Sequence, residues 1–76
     1  MEDNNAALKS LINKLPEAQR TVLTMRHFCD MSFQEISEET GVSINTALGR
    51  MRYALLNLRK MLEESELVYD KNYYSQ

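Results

Sequence analysis

The stretch MSFQEISEETGVSINTALGRMRYALLNLRK, residues 31–60, holds two helix-start signals with one glycine between them. Ser32 and Glu35 form the first, a capping box in which the hydroxyl receives a first-turn amide and the carboxylate reaches back. Gly41 follows, the residue type that accepts a left-handed backbone where a helix ends. Ser43 then starts a second helix. The spacing predicts a helix over Phe33–Thr40, only about two turns long and therefore dependent on packing. A longer helix is predicted from Ser43 to about Leu62 or beyond.

A short helix, a tight glycine turn and a second helix make a helix-turn-helix. Its finer spacing agrees. Counting from Phe33, Gly41 is the ninth residue and the small Ser37 the fifth, where two crossing helices leave little room. Ile36, Val42, Ala47 and Met51 are apolar where the pair must pack on the rest of the domain.

Upstream, Leu8, Leu11, Ile12 and Leu15 fall at i, i+3, i+4 and i+7, one face of a helix over Ala6–Leu15. Pro16 ends it and suits the first turn of the next, where its missing N–H costs nothing. That second helix is predicted from Pro16 to Cys29, with an inward stripe of Ala18, Val22, Met25 and Cys29 widened by Leu23 and Phe28. The chain then divides into a polar, flexible N-terminus (1–5), a four-helix domain (6–62) and an acidic, frayed tail (63–76). Tyr69, Tyr73 and Tyr74 in the tail are candidate partner anchors, and disorder is the simpler account of them.

Composition supports a small all-α module without winged elements. One proline, two glycines and a 43% hydrophobic content, in 76 residues, favour helices with a core rather than disorder. A chain this short buries only about 60% of its unfolded surface, so the core is small. Cys29 is the one cysteine, which excludes an internal disulfide and fits a cytoplasmic protein. No apolar stretch approaches the ~20 residues of a membrane span, and no secretory leader is evident at the start.

Charge is segregated. Residues 41–62 carry Arg50, Arg52, Arg59 and Lys60 with no acid, a block of +4 inside a chain of net −2. A helix of one sign creates a local field whatever the global balance, and phosphate neutralisation supplies most non-specific DNA affinity. The basic block therefore lies where the second helix of the pair meets DNA. A solvated face of an inert bundle would show the same four cations, and it is the helix-turn-helix spacing that favours DNA.

Catalytic chemistry finds no footing. There is no phosphate loop, no paired-carboxylate site and no triad, so no enzyme, cofactor or small-molecule substrate is expected. His27 has no companion ligand at metal spacing and is read as a partly exposed helical histidine. Cys29, on the apolar stripe, is read as a small buried residue.

Residues 6–62 resemble region four of bacterial RNA polymerase sigma factors, above all the extracytoplasmic-function group. Leu15-Pro16 with Gln19-Arg20, Met31-Ser32-Phe33 with Glu35-Ile36, and Gly41-Val42-Ser43 with Thr46 stand in the order of that family's recurring pattern. The resemblance implies two helix pairs. The second docks its last helix in the major groove of the minus-thirty-five promoter element, placing Asn45, Thr46, Gly49, Arg50, Arg52 and Tyr53 on or near double-stranded DNA. Arg50 is assigned to phosphate and Arg52 to phosphate or base, while the amides at Ser32 and Ser43 suit phosphate oxygens. The first pair contacts the flap of the polymerase β subunit, which makes Leu11, Leu15, Val22 and Arg26 candidate contact residues. A sigma factor also needs a region two, which nothing in these residues resembles. The expectation is a fragment of a longer chain or a protein that borrows only the promoter-docking half.

The departures from the pattern carry information. Leu48 stands where many relatives have a basic residue, and Tyr53, Leu55 and Leu56 replace further positives. Ile44, Leu48, Met51, Leu55, Leu58 and Leu62 form a heptad-like stripe, with Ala47, Ala54 and Met61 beside it. So small a domain cannot bury both, and the surplus, with Leu48 and Leu55 as its centre, is expected to meet a partner: polymerase, an anti-sigma protein or a second copy. Scattered exposed leucines are the plain alternative. Two further readings stand beside promoter docking. A regulator output domain of the LuxR kind shares the layout, though Leu15–Arg20 argues against it. A protein–protein module with little DNA contact fits the acidic total charge and would lack a steep salt dependence.

Overall fold

A computed structural model describes the backbone of residues 2–74 and the side chains of residues 7–65. Four α-helices follow one another: α1 Glu2–Asn13, α2 Glu17–Leu23, α3 Phe33–Thr40 and α4 Ile44–Tyr74, with a π-helical turn at Thr24–Phe28 prolonging α2. The domain is all-α, as the sequence predicts, and no strand occurs among the described residues. Nor is any helix among them long and apolar enough to cross a membrane. The expected flexible N-terminus and the tyrosines at 69, 73 and 74 fall outside the residues described in full.

The helix pair is built as its spacing requires. The Glu35 amide donates to Ser32 Oγ at 3.0 Å and the Ser32 amide donates to Glu35 Oε1 at 2.8 Å, so both halves of the capping box form. Gly41 takes the left-handed conformation, φ +77°, and closes α3 by donating its amide to the Ser37 carbonyl at 2.9 Å. Ser37 does more than leave room, because its hydroxyl donates to the carbonyl of Val42 and ties the turn down. Ser43 caps α4 by accepting the Thr46 amide at 3.1 Å.

The Leu15–Arg20 motif also proves structural. Leu15 is buried and Pro16 precedes α2 as its N-cap. Arg20 reaches back to the carbonyl of Asn13 at the end of α1, 3.3 Å away. Gln19 accepts a hydrogen bond from Asn57 of α4 at 2.7 Å, across 38 residues of sequence. Each polar side chain satisfies a group that the α1–α2 corner or the α2–α4 crossing would leave open.

Two small cores share α4. Ile12, Leu15, Leu23, Ala54 and Leu58 join α1 and α2 to its middle. Val22, Ile36 and Ala47 join α2 and α3 to its first turns. Met51 packs against both clusters and links them. Val22, Ile36 and Ala47 have no solvent exposure at all. Fully burying an isoleucine or valine stabilises by about 1.5–3 kcal/mol, a large share of what so small a domain can hold.

The second helix departs from expectation. Regular α-helix stops at Leu23, and the wider π-turn follows, with the Cys29 amide reaching back to the Thr24 carbonyl at 3.1 Å. Asp30 then turns left-handed at φ +58°, a conformation aspartate tolerates better than most residues, and the Met31 amide closes on the Met25 carbonyl at 3.1 Å. Each π-turn residue advances the chain less than 100°, so the inward stripe predicted for an unbroken helix loses phase. Cys29 is consequently exposed rather than buried, and Phe28 is half-exposed. Ala18 also faces solvent, because Gln19, Val22 and Leu23 hold the inward side of α2.

The capping box sets a pH dependence. The Ser32 amide, and then its hydroxyl, hold the Glu35 carboxyl below the ordinary carboxylate range. A depressed folded-state pKa contributes stability that is present above the unfolded value and lost as pH falls through the folded one. Glu35→Gln should therefore melt below the wild type at neutral pH, and the gap in Tm should close on acidification below the carboxylate range. A gap that persists at low pH would mean the charge is not what the box supplies.

Candidate nucleic-acid interface

The face of α4 turned away from both cores carries half of the eight residues the sequence assigns to DNA. Asn45, Gly49, Arg52 and Tyr53 line one open surface depression, together with Leu48. They recur at i, i+3, i+4, i+7 and i+8, the periodicity of a single helix face. Tyr53 is 60% exposed on its rim.

The remaining assignments divide. Arg50 is half-buried and sits about 200° around the helix from Arg52, so the two arginines address different surfaces. Thr46 is exposed but committed to the cap: its amide donates to Ser43 Oγ at 3.1 Å, and its hydroxyl oxygen accepts from the Ser43 hydroxyl at 3.0 Å. Arg59 forms an exposed i, i+4 ion pair with Glu63 at 3.2 Å, which tempers the cationic block toward its end.

The two helix N-termini are not equivalent. At α3 the Ser32 amide, expected to be offered to phosphate, is already donated to the Glu35 carboxylate, which brings negative charge to that end. At α4 the first turn holds no acid, and Ser43 supplies a neutral cap. The positive end of the helix dipole is therefore uncompensated at α4 alone, beside the depression.

Two of the partner assignments need correction. Leu15 and Val22 are core residues, 4% and 0% exposed, because the stripes of the first two helices turn inward to meet α4. Arg26 is held in place by the fold: its guanidinium donates to the Met31 carbonyl at 2.9 Å and lies 5.1 Å over the Phe33 ring. Leu11 is half-buried against the first core. The α4 stripe splits as its width requires. Met51 and Leu58 go inward with Ala47, Ala54 and Met61, and Ile44, Leu48, Leu55 and Leu62 stay exposed.

One surface went unanticipated. Lys9, Ile12 and Asn13 of α1 and Thr24 and Phe28 of the π-turn line a second open groove, with more apolar than polar surface. Phe28 is 51% exposed and meets His27 edge-on, ring centroids 5.1 Å apart. Its outward direction depends on the π-turn, which leaves no periodic signal. Among the described residues no cluster of His, Cys, Asp or Glu could hold a metal ion.

Gly49 is the one residue of the depression with no structural reason to be there. A Cβ built on it would meet nothing within 4 Å. Glycine inside a helix costs about 0.8–1 kcal/mol relative to alanine. Gly49→Ala should raise stability by about that amount, visible as a rise of several degrees in Tm. An unchanged or lower Tm would show that the glycine serves packing after all.

The family model described as Sigma-70, region 4 matches residues 5–62. The ECF RNA polymerase sigma factor RpoE of Cereibacter sphaeroides is 40% identical over 60 residues, covering 79% of this chain and 33% of that protein. The RNA polymerase sigma factor SigF of Mycobacterium tuberculosis is 36% identical over 61 residues, covering 80% of this chain and 23% of that protein. The RNA polymerase sigma factor SigV of Bacillus subtilis is 33% identical over 60 residues, covering 79% of this chain and 36% of that protein. The chain thus spans about a third or less of the length of these relatives. No solved structure matches it at comparable significance. With the two helix pairs, the capped turn and the match over residues 5–62 in agreement, this chain belongs to the sigma-70 region 4 family, of the extracytoplasmic-function type.

Proposed function

We propose that this domain recognises promoter DNA during transcription initiation, with α4 in the major groove of the minus-thirty-five element. The observation that carries this is the depression on α4: Asn45, Gly49, Arg52 and Tyr53 on one outward face, beside a helix N-terminus free of acid. Asparagine and arginine are the side chains that pair bidentately with adenine and guanine edges, and the absence of a side chain at Gly49 lets the helix lie deep. Its relatives, by name RNA polymerase sigma factors, act in transcription rather than catalysis. The same role places the protein in the cytoplasm.

Selection from random duplexes at low salt tests this directly. The wild type should enrich one short element, and Arg52→Ala should relax the preference at one position. Arg50→Ala should instead weaken binding to all sequences and lower the slope of log K against log salt by about 1. Binding without enrichment, or with no salt slope, overturns the proposal.

The partner surfaces follow from the same family. The groove between α1 and the π-turn, with Phe28 half-exposed on it, suits an apolar anchor from the polymerase β flap. The exposed Ile44, Leu55 and Leu62 of α4 suit a second protein surface, of polymerase or of an anti-sigma protein. Phe28→Ala should weaken binding to the isolated flap segment by tenfold or more in a titration, an apolar anchor being worth about 2 kcal/mol, while leaving DNA selection intact. Equal affinity for the flap would remove the groove from the interface.

A further inference from the structure

Leu48 is 44% exposed, which by itself means little for a leucine on a small domain. Its neighbours give it meaning. It sits inside the depression with Asn45 one turn before it, Arg52 one turn after it, Gly49 beside it and Tyr53 on the rim. Every other side chain there can form hydrogen bonds. Leu48 cannot. On the exposed edges of the major groove, the one apolar feature is the C5-methyl of thymine.

We propose that Leu48 is a specificity residue that packs on a thymine methyl, so that the element bound contains a T·A pair between the pairs met by Asn45 and Arg52. This rests on the promoter-binding reading above. The spacing is consistent: from Asn45 to Arg52 is seven residues, about 10.5 Å of helix, close to three base-pair steps of about 3.4 Å. Reach is the harder condition, since a leucine extends much less far from a helix than an arginine. Gly49 meets it. With no Cβ and no neighbour within 4 Å of where one would stand, it leaves the helix surface open immediately beside Leu48. The same residue accounts for the stability that the helix forgoes by keeping a glycine in its interior. At this position a leucine offers the groove a methyl contact and no charge.

The test replaces thymine by deoxyuridine, one position at a time, in the duplex that the wild type selects. Uracil keeps every hydrogen-bonding group and removes only the methyl, so helix positioning is undisturbed. One position should show a loss of roughly threefold to fivefold, the value of burying one carbon at about 0.8 kcal/mol. Leu48→Ala should bind the thymine and uracil duplexes equally while keeping the wild-type salt slope. Leu48 lies outside both cores, so the variant folds. A selected element in which no uracil changes affinity, or in which Leu48→Ala keeps the distinction, overturns this inference and leaves promoter binding standing. A pool that yields no element overturns both.

Discussion

The contact of Val22, Ile36 and Ala47 is the point on which the architecture turns. All three are sealed from solvent, and they come from α2, α3 and α4. α3 has only eight residues and would not persist as an isolated helix. Ile36 is its single fully buried side chain, and Ala47 is small enough to let α4 approach it closely. Remove that approach and the turn at Gly41 has nothing to orient it. The direction of α4, and hence of every residue on its outward face, is set at this one crossing.

α4 therefore carries two duties on one cylinder. Ala47, Met51, Ala54, Leu58 and Met61 turn inward and complete both cores. The opposite side presents Asn45, Gly49, Arg52 and Tyr53. The period of 3.6 residues keeps these sets apart, but it leaves a third strip between them, where Ile44, Leu48, Leu55 and Leu62 stand. Among the described residues no further layer covers that strip. At its N-terminal end the strip merges with the outward face through Leu48. Further along, Leu55 and Leu62 lie beyond the depression and are open to a protein.

Much of this was legible in the sequence, for identifiable reasons. Ser32 with Glu35, Gly41 and Ser43 are local signals, each acting within a turn of itself, and the helix pair formed where they mark it. The charge block and the outward residues of α4 were equally readable, because a long regular helix preserves phase. Phase is also where reading failed. The π-turn at Thr24–Phe28 shifts the residues behind it, so Cys29 came out of the core and Phe28 onto a groove. No composition marks such a turn, which ends in a local closure, Asp30 left-handed and the Met31 amide on the Met25 carbonyl. The Leu15–Arg20 motif marks the family correctly, while its residues do structural work. Leu15, expected at a partner surface, is buried, and Gln19 and Arg20 serve the crossing with α4 and the corner between α1 and α2.

A chain of net negative charge can still present a local positive field. Net charge acts over the whole surface, but at physiological salt a field fades within about 8 Å, so what a phosphate meets is local. The acids Glu35, Glu38 and Glu39 belong to α3, where Glu35 is spent on its own cap and Glu38 accepts from Gln34 at 3.1 Å. The first turn of α4 holds none, and its dipole is free to act outward. The capping chemistry of the two helices thus does more than fix their ends. By placing a carboxylate on one N-terminus and a serine alone on the other, it compensates the dipole of α3 and leaves that of α4 open to an anion.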